Sequence, residues 1–315
     1  MFKGDAFMNH IYKLPVEVNV DTIRNINQEW IFLFNNNHYY CDSITFDFSD
    51  VNFIRPSGLA VVAALMKYVK NRNCYAEYYL KEAINKNVCS YMERMDFYSQ
   101  FKIIKDTINR QENSGLCELK EVIDANTAYI VVSQLSDVIK SQINISDGTL
   151  NAITHTLGEI IDNIFHHSNS PINGIVCAQT YRHAIEVEIA IADCGIGVYE
   201  SLKNTPNYNY IVNDAEALKL CVGKKITSKP FTNAGEGLFV AKRIITQNQG
   251  KMNIISGSSM YKISNIEDDI IKYPYWQGTI VNMVFNLDVP VNIKDIFDSE
   301  FPEDAVHDDF DEVFD

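Results

Sequence analysis

The sequence lacks several things that would each have settled its class. It has no C-x-x-C pair, and its seven cysteines, at 41, 74, 89, 117, 177, 194 and 221, are odd in number. That argues against a disulfide framework or a zinc site and for reduced thiols in a cytoplasm. No apolar run approaches the ~20 residues that a membrane span needs. The longest, Gly58 to Met66, is followed by Lys67 and Lys70. The start, Met1-Phe2-Lys3-Gly4-Asp5, lacks the basic-then-apolar build of a secretory signal. Basic charge is also short. The net charge of −14 has the wrong sign for phosphate backbones, so neither nucleic acid nor membrane is expected as a partner. Residues 291–315 hold ten acidic groups against one lysine and read as an acidic tail. That tail interleaves aromatics (Phe297, Phe301, Phe310, Phe314) with carboxylates, which suits either a solvating segment or a short partner-docking motif. There is no internal repeat.

What is present points to two α/β units. With 315 residues, 46% apolar and 22% charged, each half can bury a core. Ile11 to Pro15 reads as a short strand and residues 20–35 as a helix. Ile44, Phe46 and Phe48 alternate at strand period, and Gly58 to Val69 reads as a helix with a buried face. Tyr75 to Leu80 gives another strand and Ala83 to Met95 another helix. Alternation of this kind implies parallel pairing. Residues 105–126 are polar, with Gln111-Glu112-Asn113-Ser114-Gly115, and read as a linker. A helix then runs from Thr127. Asp147 is placed to cap the next one, whose apolar face is Leu150, Ile153, Leu157, Ile160, Ile161 and Ile164. Strands are expected near 174–180, 185–192, 251–256, 260–264 and 278–287, with a helix over 238–249 ending at Gly250.

Four features carry chemistry. His155, Glu159, Asn163 and His167 follow one another at i, i+4 and form one polar stripe on that helix. A carboxylate one turn from an amide oxygen suits Mg-ATP chemistry, while a plain solvent-facing stripe is the simpler reading. Asp193-Cys194-Gly195-Ile196-Gly197 follows a strand, where the carboxylate can accept an amino proton and the glycines admit a flat ring; a simple Asp/Gly turn gives the same pattern. Gly235-Glu236-Gly237-Leu238 opens a helix, whose free amides suit phosphate. Gly278-Thr279 heads the last strand.

In that order and spacing, residues 127–288 resemble the GHKL family of ATP-binding domains. Glu159-x-x-x-Asn163-x-x-x-His167 is similar to the N box, Asp193-x-Gly195-x-Gly197 to the G1 box, Gly235-x-Gly237-Leu238 to the G2 box, and Gly278-Thr279 to the closing G-T. The resemblance implies ATP and Mg²⁺ as ligands. It makes Glu159 the general base, Asn163 the Mg²⁺ ligand and Asp193 the adenine acceptor, with Thr279 assisting through a water. Gly195 and Gly197 would line the base, and the Gly235 and Gly237 amides would hold the phosphates. His167, Leu238 and Lys225 belong to the implied binding set. Residues 198–234 would form a lid in which Lys224, Lys225 or Lys229 could meet phosphate. The sequence departs from the family at Asn233 and Glu236, where Asn233 replaces the first G2 glycine.

Residues 11–103 resemble the STAS domain of anti-sigma factor antagonists. The likeness rests on Ile44 to Leu59, with Ser57-Gly58 opening a helix, and on Val88 to Phe97. It implies Ser57 as a phosphorylation site, with helix capping as the alternative; Arg55-Pro56 depart from the family pattern. The expected architecture is a STAS-like α/β layer over 1–104, a linker over 105–126, a GHKL α/β sandwich with a mixed sheet and helices on one face over 127–290, and the tail over 291–315. The expected function is that of a cytoplasmic bacterial ATP-binding regulator with Mg-dependent ATPase or serine-kinase-like activity. It would act on a protein partner of sigma-factor or STAS type, with homodimerisation open. The alternatives are a catalytically passive nucleotide-gated switch and a histidine-kinase relative without its own phosphoacceptor, since residues 127–143 contain no histidine.

Overall fold

A computed structural model describes residues 9–24, 42–72, 76–101, 115–167, 169–228 and 235–302, without the side chains of 164–167. Most of the helix expected over 20–35, Lys229, Asn233 and the tail beyond 302 lie outside the described residues. The chain is mixed α/β, as expected.

Its first sheet is parallel and three-stranded. Strands β1 (Asn9–Lys13), β3 (Ser43–Asp47) and β5 (Glu77–Lys81) lie in the order β1-β3-β5. Two short strands, β2 (Glu17–Val18) and β4 (Phe53–Ile54), pair beside it, and the single-turn helix α1 (Val20–Ile23) follows β2. Helix α2 (Pro56–Arg72) is buried at every position from 56 to 66. A helix apolar on all sides must be covered on all sides. Its side chains share a core with those of the first sheet, and it packs directly on a second sheet. Helix α3 (Lys86–Arg94) adds Val88, Tyr91 and Met92 to the same core.

The second sheet has five strands in the order β6-β7-β8-β10-β9: β6 (Leu116–Val122), β7 (Gly174–Tyr181), β8 (Glu186–Ala192), β9 (Lys251–Ser264) and β10 (Asp269–Asn286). All four pairings are antiparallel. Side chains alternate between its faces. Val187, Ile189 and Ile191 of β8 face a helical layer, while Ala190 and Ala192 share a core with α2. Burial on both faces explains why β8 reads as an unbroken apolar run. The helical layer consists of α4 (Ala125–Gln142), α5 (Asp147–His167) and α8 (Gly237–Gln247). Helices α6 (Gly197–Lys203) and α7 (Asp214–Cys221) pack on β9.

Several expectations are corrected. Part of the span read as linker is strand β6, whose Leu116, Leu119 and Val122 are buried. Asp147 does not cap α5; the Ser146 hydroxyl accepts the Thr149 amide at 3.2 Å instead. The strands expected over 251–264 are one strand, and β10 begins nine residues before Gly278, at Asp269. Within the acidic tail, Ile293–Glu300 forms a helix, α9, because Ile293, Ile296 and Phe297 fall on one face that packs on α5 and α8.

The two halves share their core. Polar contacts also join them: Arg55 pairs with Glu188 at 3.0 Å, Lys67 with Glu121, and the Tyr273 hydroxyl donates to the Val20 carbonyl at 2.8 Å. Ser57 is 1% exposed, and its backbone amide donates to the Glu188 carboxylate at 3.4 Å. The anion position at the α2 N-terminus is thus filled by Glu188, and the Ser57 hydroxyl is sealed from any phosphoryl donor. This corrects the assignment of Ser57 as a modification site in the folded chain.

Candidate functional site

One cleft opens on the helical face of the second sheet, with about 900 Å³ of empty space including its mouth. Its floor and walls are apolar: Ile160, Ile191, Leu202, Ile226, Ile254 and Val281. Polar groups stand at two ends, as in most small-molecule sites.

At one end, the β8 row Ile189, Ile191 continues to Asp193 on the same face by strand alternation. Asp193 is 2% exposed. Burial pushes its carboxyl up to about 7, against the Gly195 and Thr279 backbone contacts that favour the anion. The Gly195 amide donates to Asp193 Oδ1 at 2.7 Å, and the Asp193 amide donates to the Thr279 carbonyl at 2.9 Å. The loop is braced from beneath by the Trp276 indole, which donates to the Asp193 carbonyl at 2.9 Å. Gly278 has φ +100°, and a Cβ there would collide with the Asp193 backbone, so the G-T pair is sterically tied to this loop. Gly197 lines the cleft, with Ser256 behind it donating to the Gly278 carbonyl at 2.7 Å.

At the other end, α5 presents Glu159 and Asn163 to the N-terminus of α8. Glu236, at the N-cap of α8, makes no side-chain cap to the first turn, and Gly235, Gly237 and Leu238 line the cleft beside it. Gly237 touches the Glu159 carboxylate, and any side chain there would overlap it. Burial raises the Glu159 carboxyl above its usual range, and nearby Asp162 and Glu236 add to the effect. The Asn163 side-chain amide donates to the Glu159 carbonyl at 2.9 Å, which directs its oxygen away from the helix. Among the described residues, no three His, Cys, Asp or Glu side chains converge as a metal cage. A Mg²⁺ here fits Asn163 plus phosphate oxygens and water, the usual manner for this ion.

The structure therefore brings Glu159, Asn163, Asp193, Gly197, Gly235, Gly237, Leu238 and Thr279 to one cleft. Gly195 serves differently from the expectation: its amide holds Asp193 and it does not line the cleft. Lys225 is exposed outside the lining, with φ +59°. Lys224 lies over the Phe301 ring at 4.3 Å and donates to the Glu300 carbonyl, away from the cleft. The His167 side chain is outside the described residues. His155 is largely buried against Phe297, with its pKa lowered by burial. Much of the expected lid is core. Leu202, Ile211, Ala217, Leu218, Cys221 and Val222 are buried, because their apolar spacing suits packing on β9.

Sequence reasoning missed the apolar walls and the bracing residues Trp276 and Gln277. The walls were legible in principle as the inward rows of β8, β9 and β10. Compared with models of known protein families and with curated proteins, the chain matches none.

Proposed function

We propose that this protein binds an adenine nucleotide with Mg²⁺ in the cleft and works as an ATP-dependent regulator through contacts with a protein partner. The observation that carries this reading is the convergence of four separate motifs, from Glu159 to Thr279, on one apolar slot with a carboxylate at each end. The order of those motifs resembles the GHKL boxes, and the fused N-terminal unit resembles a STAS domain, a pairing that supports a regulatory role.

In this reading the adenine ring lies among Ile191, Ile254 and Val281, and its amino group donates to Asp193, with Thr279 alongside. The triphosphate meets the α8 N-terminus and the Gly235 and Gly237 amides, where the helix dipole favours anions. Asn163 ligates Mg²⁺, and Glu159 orients or deprotonates the attacking group. Burial raises its pKa, which makes the carboxylate a stronger proton acceptor than a free one. Because Ser57 is sealed inside the fold, it is not the acceptor of any phosphotransfer in this reading.

One observation favours a catalytically passive nucleotide switch instead. Glu236, at the N-cap of α8 and beside Glu159, adds negative charge where triphosphate would sit. ATP binding and turnover by the wild type, Glu159→Ala and Asn163→Ala decide between the two. Turnover lost at least about tenfold in Glu159→Ala with binding retained supports catalysis. Binding without Mg²⁺-dependent turnover supports the switch, and failure of the wild type to bind any adenine nucleotide sinks both.

A further inference from the structure

The N-terminal unit reaches the adenine end of the cleft through a chain of hydrogen bonds, all pointing the same way. Arg72 Nη1, on the last turn of α2, donates to the Tyr68 hydroxyl at 2.5 Å. The Tyr68 hydroxyl donates to Gln277 Oε1 at 2.9 Å, across the boundary between the two halves. Gln277 Nε2 donates to the Cys194 carbonyl at 3.3 Å. That carbonyl belongs to the peptide unit whose N–H, on Gly195, donates to Asp193 Oδ1 at 2.7 Å. Tyr68 is fully buried, so the contact cannot be exchanged freely for water.

We propose that Tyr68 and Gln277 are positioning residues for the adenine end of the cleft, and that through them helix α2 sets the orientation of the Asp193 carboxylate. Hydrogen bonds in series polarise one another, and a guanidinium at the head of the chain strengthens each following donor. The peptide 194–195 is clamped on both sides: Gln277 holds its carbonyl and Asp193 its N–H. The neighbouring peptide is held in turn by Trp276 on the Asp193 carbonyl. Cys194 itself faces α2, with its thiol 3.8 Å from the Ala64 carbonyl, so the helix packs directly beneath the loop it orients. A displacement of α2 along its axis would therefore reach the cleft as a rotation of this peptide. The role in nucleotide binding rests on the function proposed above; the clamping of the loop does not.

The test uses the full chain with Tyr68→Phe, Gln277→Leu and the double variant, and two readouts. Without nucleotide, amide hydrogen exchange over residues 193–197 is expected to rise severalfold in each single variant, with the double no faster than the singles. With nucleotide, affinities for ATP and ADP are expected to fall by one common factor of about three to ten, because the lost contact is at the base end. A structural role alone would spread the exchange increase over the whole core. Unchanged exchange over 193–197 in both single variants overturns the proposal. So does increased exchange with unchanged affinity in a wild type that binds. If the wild type binds no adenine nucleotide, the function proposed above fails, and the exchange readout alone decides whether the chain holds the loop.

Discussion

At Asp193, burial disfavours the charged carboxylate by more than the Gly195 and Thr279 backbone contacts favour it. Its folded value of about 7 lies above the ordinary 3.8, so between these pH values the folded protein holds a proton that the unfolded chain has released. The contribution of Asp193 to free-protein stability therefore falls as pH rises from about 4 to about 7 and is level above. An amino group donating to this carboxylate favours the anion, so adenine nucleotide binding near neutral pH is expected to release a proton. Titration calorimetry in two buffers of different ionisation enthalpy measures that release directly. Asp193→Asn is expected to make the pH slope between about 4 and about 7 less steep, to raise the melting temperature of the free protein at neutral pH and to weaken nucleotide binding at least about tenfold. Binding unaffected by this change would remove Asp193 from the site. The same scale separates the two roles weighed for Ser57. Its buried hydroxyl has no hydrogen-bond partner, so Ser57→Ala is expected to be neutral or mildly stabilising. Ser57→Asp sets a second carboxylate against Glu188 and is expected to lower the melting temperature by several degrees. The four motifs that carry chemistry were readable as residues because polar side chains and glycines interrupt apolar patterns. The reason Gly237 is a glycine was not readable. It lies in the contact between two helices, α5 and α8, that come from different parts of the chain.

At the scale of elements, helix α9 shows how charge can hide packing. Counted as charge, residues 291–315 look solvated; counted as faces, Ile293, Ile296, Phe297 and Phe301 form an apolar stripe. Phe301 is buried edge-on against Phe239 of α8 at 6.0 Å, and Phe297 meets His155 of α5 at the same distance. These two helices carry Glu159 and Gly237, so α9 braces the phosphate end of the cleft from behind. Phe301→Ala is expected to cost about 3 kcal/mol in unfolding free energy, as for a buried aromatic truncation. A change below 1 kcal/mol in denaturant titration would show that α9 is not held as described. The cap of α5 is a similar lesson at lower cost. Ser146, one residue before the expected Asp147, bonds the Thr149 amide, and capping side chains one position apart cannot be told apart by spacing. Strand β6 looks like a linker in the sequence because it lies at a sheet edge, where charged Glu118, Lys120 and Glu121 are part-buried and the alternation is interrupted by a register shift.

At the scale of the molecule, the two halves that composition suggested are one packed body. The face of β7 and β8 opposite the cleft presents Ile175, Cys177, Ala190 and Ala192, and all four are buried in the core that holds α2. Helix α2 is in turn apolar on every side, so neither half can cover its own apolar surface. Parallel strands alternating with helices had made the first half look self-sufficient, because sequence periodicity reports that a face is buried and not which element buries it. The energetic consequence is strong coupling: exposing these side chains costs on the order of 25 cal/mol per Å² of apolar surface, a term that unfolding of either half would incur for both. A single unfolding transition is therefore expected, with coincident midpoints from far-UV circular dichroism and from the fluorescence of a Trp30→Phe variant, in which Trp276, at the junction beneath Asp193, is the remaining tryptophan. Residues 115–302 expressed alone are expected to aggregate or to remain unfolded, and co-expression with residues 1–104 to restore a soluble 1:1 complex. Two well-separated transitions in the intact chain, or a monomeric and folded 115–302 fragment, would show instead that α2 is a removable cover. In that case the N-terminal unit would be free to leave the sheet face opposite the cleft, and the hydrogen-bond chain from Arg72 to Asp193 would open with it.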